Sequence, residues 1–293
     1  MGHDHHHHHH SGNIKVAFFL NLGFTILEII GGLFTNSMAI LADALHDFGD
    51  SVSLGLAWYF DRVSHKERDK NYTYGYKRFS LVGAIINAFI LTIGSVFILS
   101  ETIPRLFNPQ TPDAYGMIWL AIVGIIINGL AVLRLKGSHS LNEKVVYLHL
   151  LEDVLGWVAV LVGAITMYFY DVPIIDPLLS LGISVFILIN VIKNFKSVFN
   201  ILMQGVPNET NTKAIKKYIK SLDGVEEIHD LHIWSMDGEY NVLTAHVVMR
   251  GQPTMEDLKP IKKEIHNNLG NYGINHATLE FEMADEECVL MDC

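Results

Sequence analysis

Six long apolar stretches occupy the first two thirds of this chain of 293 residues. A helix that crosses a bilayer needs about 20 consecutive, mostly apolar residues. The stretches that meet this length are residues 14–34, 38–60, 79–103, 115–135, 145–169 and 175–199. They predict an α-helical membrane protein with six transmembrane helices embedded in a lipid bilayer.

The composition excludes several other classes of protein. Hydrophobic residues make up 50% of the chain and charged residues only 18%, whereas a typical soluble domain is about 25% charged. The net charge of −10 argues against a nucleic acid partner, because binding to phosphates requires basic patches. Two cysteines are too few for a disulfide-rich scaffold.

The charge is distributed unevenly along the chain. Residues 1–206 contain 13 Lys and Arg against 15 Asp and Glu, whereas residues 207–293 contain 8 against 16. We therefore predict a six-helix transmembrane domain over 14–206 and a separate domain over 207–293. The segment before them, residues 1–13, is His-rich.

Histidine is abundant, but seven of the sixteen histidines lie within the first ten residues. Six consecutive histidines before Ser11-Gly12 are typical of an expression tag. A native tail that gathers metal is the alternative interpretation. The hypothesis of metal binding therefore depends on the nine histidines elsewhere in the chain.

Basic residues concentrate in the loops on one side of the predicted membrane domain. Between the second and third stretches lie Arg62, Lys66, Arg68, Lys70, Lys77 and Arg78, and after the fourth lie Arg134, Lys136 and Lys144. The other side carries only Arg105. Since Lys and Arg mark cytoplasmic loops, this bias predicts that both termini are cytoplasmic. Short loops and compact length favour a bacterial plasma membrane.

Ionisable residues interrupt two of the apolar stretches with the same spacing. The second reads Asp43-Ala-Leu-His46-Asp47-Phe-Gly-Asp50, and the fifth places His149 four residues before Asp153. An aspartate inside a membrane helix costs about 2.5–3.5 kcal/mol on insertion scales. Residues four apart share one face of a helix, so each stretch presents a histidine and an aspartate together.

These two pairs favour a metal site over a purely structural role. One such pair is equally well explained by a local hydrogen bond, but the same pair in two apolar helices incurs the insertion cost twice. Brought together, His46, Asp50, His149 and Asp153 offer two imidazole nitrogens and two carboxylate oxygens, a tetrahedral set for Zn²⁺. The remaining polar residues within the helices are interpreted as lining a polar path or joining helices by hydrogen bonds: Asn21, Glu28, Asn87 and Asn128.

The motifs around these pairs resemble those of the cation diffusion facilitator family. They are the segment from Ser37 to Ser51, the His149/Asp153 pair, and Asp176-Pro177 at the start of the sixth stretch. The resemblance covers essentially the whole chain and implies a six-helix, dimeric metal exporter that exchanges Zn²⁺ for protons. It also implies that His46, Asp50, His149 and Asp153 form the transport site. Histidine at the head of both motifs is similar to the zinc-preferring members, in line with the preference of imidazole for Zn²⁺.

A second metal site found in some members of that family is changed here. Those members place one aspartate and two histidines in the loop between the second and third helices. This chain retains Asp69 but has Tyr72 and Tyr76 at the histidine positions. We therefore expect a metal site at Asp69 to be absent or weak.

After Pro207 the hydrophobic pattern changes. It predicts helices over 212–221 and 255–269 and strands over 225–236, 239–250 and 274–283, with a hairpin turn at Asp237-Gly238. This αββαβ order predicts a small α+β domain with helices on one face of a sheet. The family resemblance implies a ferredoxin-like or metallochaperone-like cytosolic domain that dimerises.

Several residues of this domain are candidate zinc ligands. His229, His246 and Glu282 match positions that some family members use, and His276 is a possible further ligand. Cys288 and Cys293, five residues apart in an acidic tail, offer two thiolates in a reducing cytosol. The alternative interpretation of the tail is a solvated acidic segment with incidental cysteines.

The resulting hypothesis is a Zn²⁺/H⁺ antiporter that works by alternating access and carries zinc out of the cytosol. Two alternatives belong to other classes: a membrane-embedded zinc-dependent hydrolase, and a membrane-anchored zinc sensor. The hydrolase is disfavoured because neither pair carries the glutamate of an HExxH motif. The sensor is disfavoured because a passive anchor does not need ionisable pairs inside the membrane.

Overall fold

A computed structural model describes residues 10–64, 66–135, 141–284 and 286. Its first part consists of six long helices, each of which includes one of the predicted apolar stretches. They are α1 (His10–Thr35), α2 (Met38–Ser64), α3 (Phe79–Phe107), α4 (Ala114–Leu135), α5 (Leu141–Tyr170) and α6 (Ile175–Leu202). The predicted helical membrane domain is confirmed.

Most of these helices are long and apolar enough to cross a membrane. Among the described residues, α1, α3, α4, α5 and α6 each meet this requirement. In α2 the carboxylates of Asp43, Asp47 and Asp50 lower the mean hydropathy, although its 27 residues are sufficient in length. Many large apolar side chains of the bundle are exposed, as Phe34 and Phe169 are, which is the arrangement expected where lipid rather than water is the neighbour.

The tightest packing within the bundle lies between α4 and α5. Trp157 of α5 is 1% exposed and belongs to a buried cluster with Phe24, Ile40 and Met117. Its indole ring lies against the backbone of Gly124 in α4, where a Cβ atom would approach the ring to 2.4 Å. A glycine at this position therefore allows the two helices to approach closely.

The first turn of α2 is held by a carboxylate from α6. Asp176 accepts hydrogen bonds from the Ser37 hydroxyl at 2.5 Å and from the backbone N–H groups of Met38 at 2.8 Å and Ala39 at 3.2 Å. These backbone groups have no partner within the helix because they lie in its first turn. The side chain of Asp176 thus caps α2 from a helix about 140 residues away and stabilises its position in the bundle.

The second part of the chain forms a three-stranded sheet with helices. Its elements are α7 (Thr212–Lys220), β1 (Val225–Ser235), β2 (Asn241–Met249), α8 (Met255–Leu269), a 3₁₀ turn (Gly270–Tyr272) and β3 (His276–Met283). The strand order is β1-β2-β3, with β1 antiparallel and β3 parallel to β2. The predicted αββαβ order is confirmed.

Local sequence signals explain these elements. The hairpin turns at Asp237, whose carboxylate accepts from the N–H groups of Glu239 and Tyr240, and Gly238 adopts a φ of 105°. Helix α8 begins with a capping box in which Thr254 and Asp257 bond to one another's backbone. The core between sheet and helices contains Ile215, Ile228 and Ile265, all completely buried.

By their contacts the described residues separate into two compact units. The first comprises the chain up to Arg62 together with Gly83–Phe195, and the second comprises Val63–Val82 together with the chain from Lys196 onward. The second unit therefore includes the basic loop between α2 and α3 as well as the sheet domain.

Replacing Gly124 by alanine should destabilise the bundle. The added Cβ atom meets the ring of Trp157, which is buried and has no space to move away. Overpacking of this kind typically costs about 1–3 kcal/mol, so the unfolding temperature in detergent, measured by a thermal-shift assay, should fall.

Gly129 provides the matched control in the same helix. No atom lies within 4 Å of a Cβ built at that position, and alanine is favoured over glycine in helices by about 1 kcal/mol. Gly129→Ala should therefore unfold at the same temperature as the parent or higher. An equal loss of stability in both variants would contradict the assigned packing.

Candidate metal centre

Helices α2 and α5 each carry one histidine and one aspartate to a common point. His46 and Asp50 lie one turn apart in α2, and His149 and Asp153 lie one turn apart in α5. Since residues four apart share a helix face, the two faces meet when the helices pack. The structure thus brings together all four residues that the sequence analysis singles out.

The distances among these side chains suit a tetrahedral metal ion. His149 Nε2 lies 3.0 Å from Asp50 Oδ2, and His46 Nε2 lies 3.8 Å from both Asp50 Oδ2 and Asp153 Oδ1. His149 Nε2 lies 4.0 Å from Asp153 Oδ2. Ligands bound to Zn²⁺ at its usual bond lengths are about 3.3 Å apart. Small side-chain adjustments therefore bring all four donors into coordination distance.

A cavity of about 750 Å³ between α1, α2, α4 and α5 reaches this cluster. Its lining includes Asn21 and Phe24 of α1, Asn128 of α4, and His149 and Asp153 of α5. These residues lie near the middle of α1, in the last third of α4 and in the first half of α5. We call the end of the first unit where α1 begins and α4 ends the cavity end.

The opposite end, where Asp176 caps α2, is closed by packing; we call it the Asp176 end. Asp176, Ser180 and Ser184 follow one face of α6, and none is more than 2% exposed. Ser180 is hydrogen bonded to Thr102 of α3 at 2.9 Å. The histidine–aspartate cluster therefore borders a cavity, whereas the polar face of α6 at the Asp176 end is buried.

The polar residues that surround the cluster differ in their bonding. The amide of Asn21 joins α1 to α2 through the carbonyl of Asp47 and the hydroxyl of Ser51, and Asn87 joins α3 to α2 through Ser53. Asn128 donates to a carbonyl of its own helix. Glu28 is completely buried, and neither of its carboxylate oxygens receives a hydrogen bond in the described part of the chain.

The carboxylate of the loop residue Asp69 is hydrogen bonded to groups of its own loop. It accepts hydrogen bonds from the Tyr76 hydroxyl at 2.7 Å and from the backbone N–H groups of Asn71 and Tyr72, both at 2.8 Å. The Tyr76 hydroxyl, aided by these amides, lowers the pKa of the Asp69 carboxyl below its ordinary value. The same bond to Asp69 raises the pKa of Tyr76. Tyrosine thus supplies a donor where a metal ligand would have to be an acceptor.

A second group of possible metal ligands lies on the sheet of the other unit. His229 of β1 is paired directly with His246 of β2, and Glu282 of β3 lies beside both. Glu282 Oε1 is 2.5 Å from His246 Nδ1, and Oε2 is 3.3 Å from His229 Nε2. His229 Nε2 is buried and makes no hydrogen bond of good geometry within the described residues. A metal ion held between this nitrogen and Glu282 would supply the partner that it lacks.

Two carboxylates missed by the sequence analysis extend this group. Asp230 Oδ2 and Glu280 Oε2 each lie 3.5 Å from His246 Nε2. Glu280 and Glu282 lie two residues apart on β3 and therefore share a strand face. The sequence alone was sufficient to place Glu280 beside Glu282. Asp230 was not detectable in this way, because it lies at a β-bulge between His229 and His232 with a φ of 46°, which changes the direction of its side chain.

The remaining candidates are not part of this cluster. His276 begins β3, and its ring lies 5.7 Å from the ring of Tyr74 rather than beside His246. Of the described residues, only His46, His149 and Asp153, and separately His229, His246 and Glu282, bring three ligand atoms within 4.8 Å of one another. Cys288 and Cys293 lie outside the described residues.

Known proteins of similar sequence cover the same two parts of the chain. The model of the cation efflux transmembrane domain matches residues 14–203, and the model of the cation efflux protein cytoplasmic domain matches residues 207–283. The resemblance to cation diffusion facilitators, inferred from the motifs, is confirmed.

Three bacterial relatives illustrate the similarity. A cadmium, cobalt and zinc/H(+)-K(+) antiporter of Bacillus subtilis is 35% identical over 286 residues, which is 96% of this chain and 92% of the relative. The metal cation efflux system protein CzcD of Cupriavidus metallidurans is 35% identical over 97% of this chain and 91% of its own. The zinc transporter ZitB of Pectobacterium atrosepticum is 31% identical over 98% and 91%.

These matches argue against the alternative of a membrane-embedded hydrolase. Both domains of the chain are accounted for by cation efflux models, and the relatives that align over nearly its whole length are transporters and antiporters. The chain is a multi-pass integral membrane protein and belongs to the cation efflux, or cation diffusion facilitator, family, whose members are metal cation transporters and not enzymes.

Proposed function

We propose that this cation efflux protein exports Zn²⁺ from the cytosol in exchange for protons. The observation that carries the proposal is the meeting of the two histidine–aspartate pairs of α2 and α5, with donor atoms 3.0–4.0 Å apart, beside a cavity that reaches them. His46, Asp50, His149 and Asp153 are the proposed ligands. Zinc here is the transported substrate.

The donor set supports zinc over harder cations. Two imidazole nitrogens and two carboxylate oxygens satisfy the tetrahedral preference of Zn²⁺, whereas Mn²⁺ and Mg²⁺ favour oxygen ligands. Among the relatives, the Bacillus subtilis protein is named for cadmium, cobalt and zinc, and the Pectobacterium atrosepticum protein for zinc. We propose zinc as the physiological substrate and expect cadmium and cobalt to compete for the same site.

Competition between metal and protons couples the two ions. A histidine binds Zn²⁺ only when its imidazole is neutral, and an aspartate only when it is ionised. Without metal, His149 and Asp50 are close enough for an ion pair at 3.0 Å, and an ordinary imidazole titrates near pH 6.5. Protons that enter from the far side of the membrane thus displace Zn²⁺ from the same residues.

The one-sided cavity supports alternating access. In this conformation metal reaches the ligands from the cavity end, and the packed face of α6 with Asp176, Ser180 and Ser184 closes the Asp176 end. The positive-inside bias of the loops supports a cavity end on the cytoplasmic side, with both termini in the cytoplasm. Because the relatives are bacterial, we propose the plasma membrane as the location.

The sheet domain is proposed to work as a cytosolic, dimerising and metal-binding module over residues 207–293, following the transport domain at 14–206 and the His-rich segment at 1–13. Its match to the cytoplasmic domain of cation efflux proteins supports a homodimer. His229, His246 and Glu282, with Asp230 and Glu280 beside His246, are the proposed zinc ligands of this module.

Asp153→Ala should abolish zinc transport. Removal of one of four ligands leaves an incomplete tetrahedral site, so the initial rate of Zn²⁺ flux into proteoliposomes with an imposed pH gradient should fall below about one tenth of the parent rate. His46→Ala should behave alike, because it removes a ligand from the facing helix. Retained transport by either variant would refute the assigned site.

Glu152→Ala is the matched control for the loss of a carboxylate. Glu152 immediately precedes Asp153 in α5, and its side chain is exposed and not among the grouped ligands. Its removal should leave the rate of zinc transport close to that of the parent. A collapse of transport in this variant as well would show that the assay reports general damage to α5.

His246→Ala should reduce zinc binding to the sheet domain without abolishing transport. The variant removes the imidazole whose Nδ1 lies beside Glu282 and whose Nε2 lies beside Asp230 and Glu280, so the zinc retained per chain, measured by elemental analysis, should fall by about one ion. His266→Ala, an exposed histidine of α8, should retain the parent stoichiometry. Equal zinc content in both variants would contradict the cytosolic site.

A further inference from the structure

Three carboxyl groups that are not in the metal cluster lie buried between α1 and α2. Glu28 of α1 is 0% exposed, and Asp47 and Asp43 of α2 are 5% and 7% exposed. Glu28 lies on the same face of α1 as Asn21 and Thr25, since the three are spaced by four and three residues. This face packs on α2, as the hydrogen bonds from Asn21 to α2 demonstrate.

Glu28 has no donor among the described residues. Neither of its oxygens receives a hydrogen bond, and the described ion pairs do not include it. The contrast with Asp176 is informative, because that carboxylate is equally buried but accepts three hydrogen bonds from α2 and Ser37. A buried carboxylate without a donor is costly unless it is neutralised.

Acidic side chains lie buried on the neighbouring helix. Asp43 and Asp47 are buried in α2, and the amide of Asn21, on the same face of α1 as Glu28, donates to the carbonyl of Asp47. Asp153 of α5, which also acts electrostatically on Glu28, is an acid as well. Ionised carboxylates accept hydrogen bonds but donate none. A buried carboxyl group among acids, with no donor in the described part of the chain, is accommodated at least cost when it carries a proton.

We propose that Glu28 is a proton-binding residue of the transport cycle, separate from the metal ligands. It holds a proton while the cluster of His46, Asp50, His149 and Asp153 is free of metal and releases that proton when Zn²⁺ enters. The inference rests on the proposed function, because it assigns one of the exchanged protons to a residue that does not touch the metal.

The coupling is electrostatic. Leu27, next to Glu28 in α1, lines the same cavity as His149 and Asp153, two of the proposed ligands. When Zn²⁺ binds, its two positive charges offset the negative charges that disfavour ionisation of Glu28, and a low dielectric lets such charges act over several ångströms. The released proton has a route to water, because Phe24 and Leu27, in the same two turns of α1, line the cavity that reaches the metal ligands.

Glu28→Gln tests this role because it preserves the shape of the side chain and removes its ionisable proton. The full-length protein in detergent is titrated with Zn²⁺ in weakly buffered solution at several pH values, and the protons released per zinc bound are counted with a pH indicator. By linkage, the slope of the logarithm of zinc affinity against pH equals this number. We expect it to be lower in the variant by about one proton per Zn²⁺, with the same difference in the H⁺/Zn²⁺ ratio of proteoliposome flux.

Three further variants separate this role from a structural one. Glu28→Asp keeps an ionisable group and should restore most of the proton release, whereas Glu28→Met has a similar volume without a titratable proton and should match Glu28→Gln. If Glu28→Gln does not assemble, Glu28→Met provides the same comparison. Glu101→Gln, an exposed carboxylate of α3, should release as many protons as the parent.

The outcomes distinguish the inference from the proposed function. If the parent protein neither releases protons on binding Zn²⁺ nor exchanges the two ions, the proposed antiport is wrong. If the parent does both and Glu28→Gln has the same proton count and the same slope against pH, antiport stands and the role of Glu28 is refuted. A lower count in Glu28→Gln with recovery in Glu28→Asp supports the proton-binding role.

Discussion

The membrane domain depends on the free-energy cost of placing charged groups in a low-dielectric environment. Each carboxylate or imidazole inside the bundle is expensive unless another group neutralises it, hydrogen bonds to it or binds a metal through it. Asp176 meets this requirement with three donors from the first turn of α2. His46, Asp50, His149 and Asp153 meet it through one another when no metal is present.

The same constraint links the ends of the bundle to its centre. Asp176 fixes the start of α2, and α2 carries His46 and Asp50 about two and three turns further along. On the other side of the site, Trp157 packs on Gly124 and fixes α5, which carries His149 and Asp153. Contacts away from the histidine–aspartate cluster thus help to position the two helices that carry it.

Much of this arrangement could be predicted from local patterns. The apolar stretches gave the six helices, and the capping box and Asp-Gly turn gave α8 and the hairpin, because these signals act over a few neighbouring residues. The two histidine–aspartate pairs were recognisable because their spacing repeats one helical turn. The position of Asp230 beside His246 could not be predicted, because it depends on a bulge in β1. The lack of a donor for Glu28 among the described residues could not be predicted either, because it depends on how α1 and α2 pack.

The sequence by itself determined that the chain enters a membrane, which residues repeat as possible ligands and that a small α+β domain follows, because hydrophobic period, length and turn chemistry are properties of contiguous residues. Only the tertiary structure decided which polar residues meet. It brought α5 against α2 to assemble four donors, left Tyr76 bonded to Asp69, and buried Glu28 without a donor among the described residues. Partners of this kind are distant in the chain, and their contacts exist only after the helices have packed.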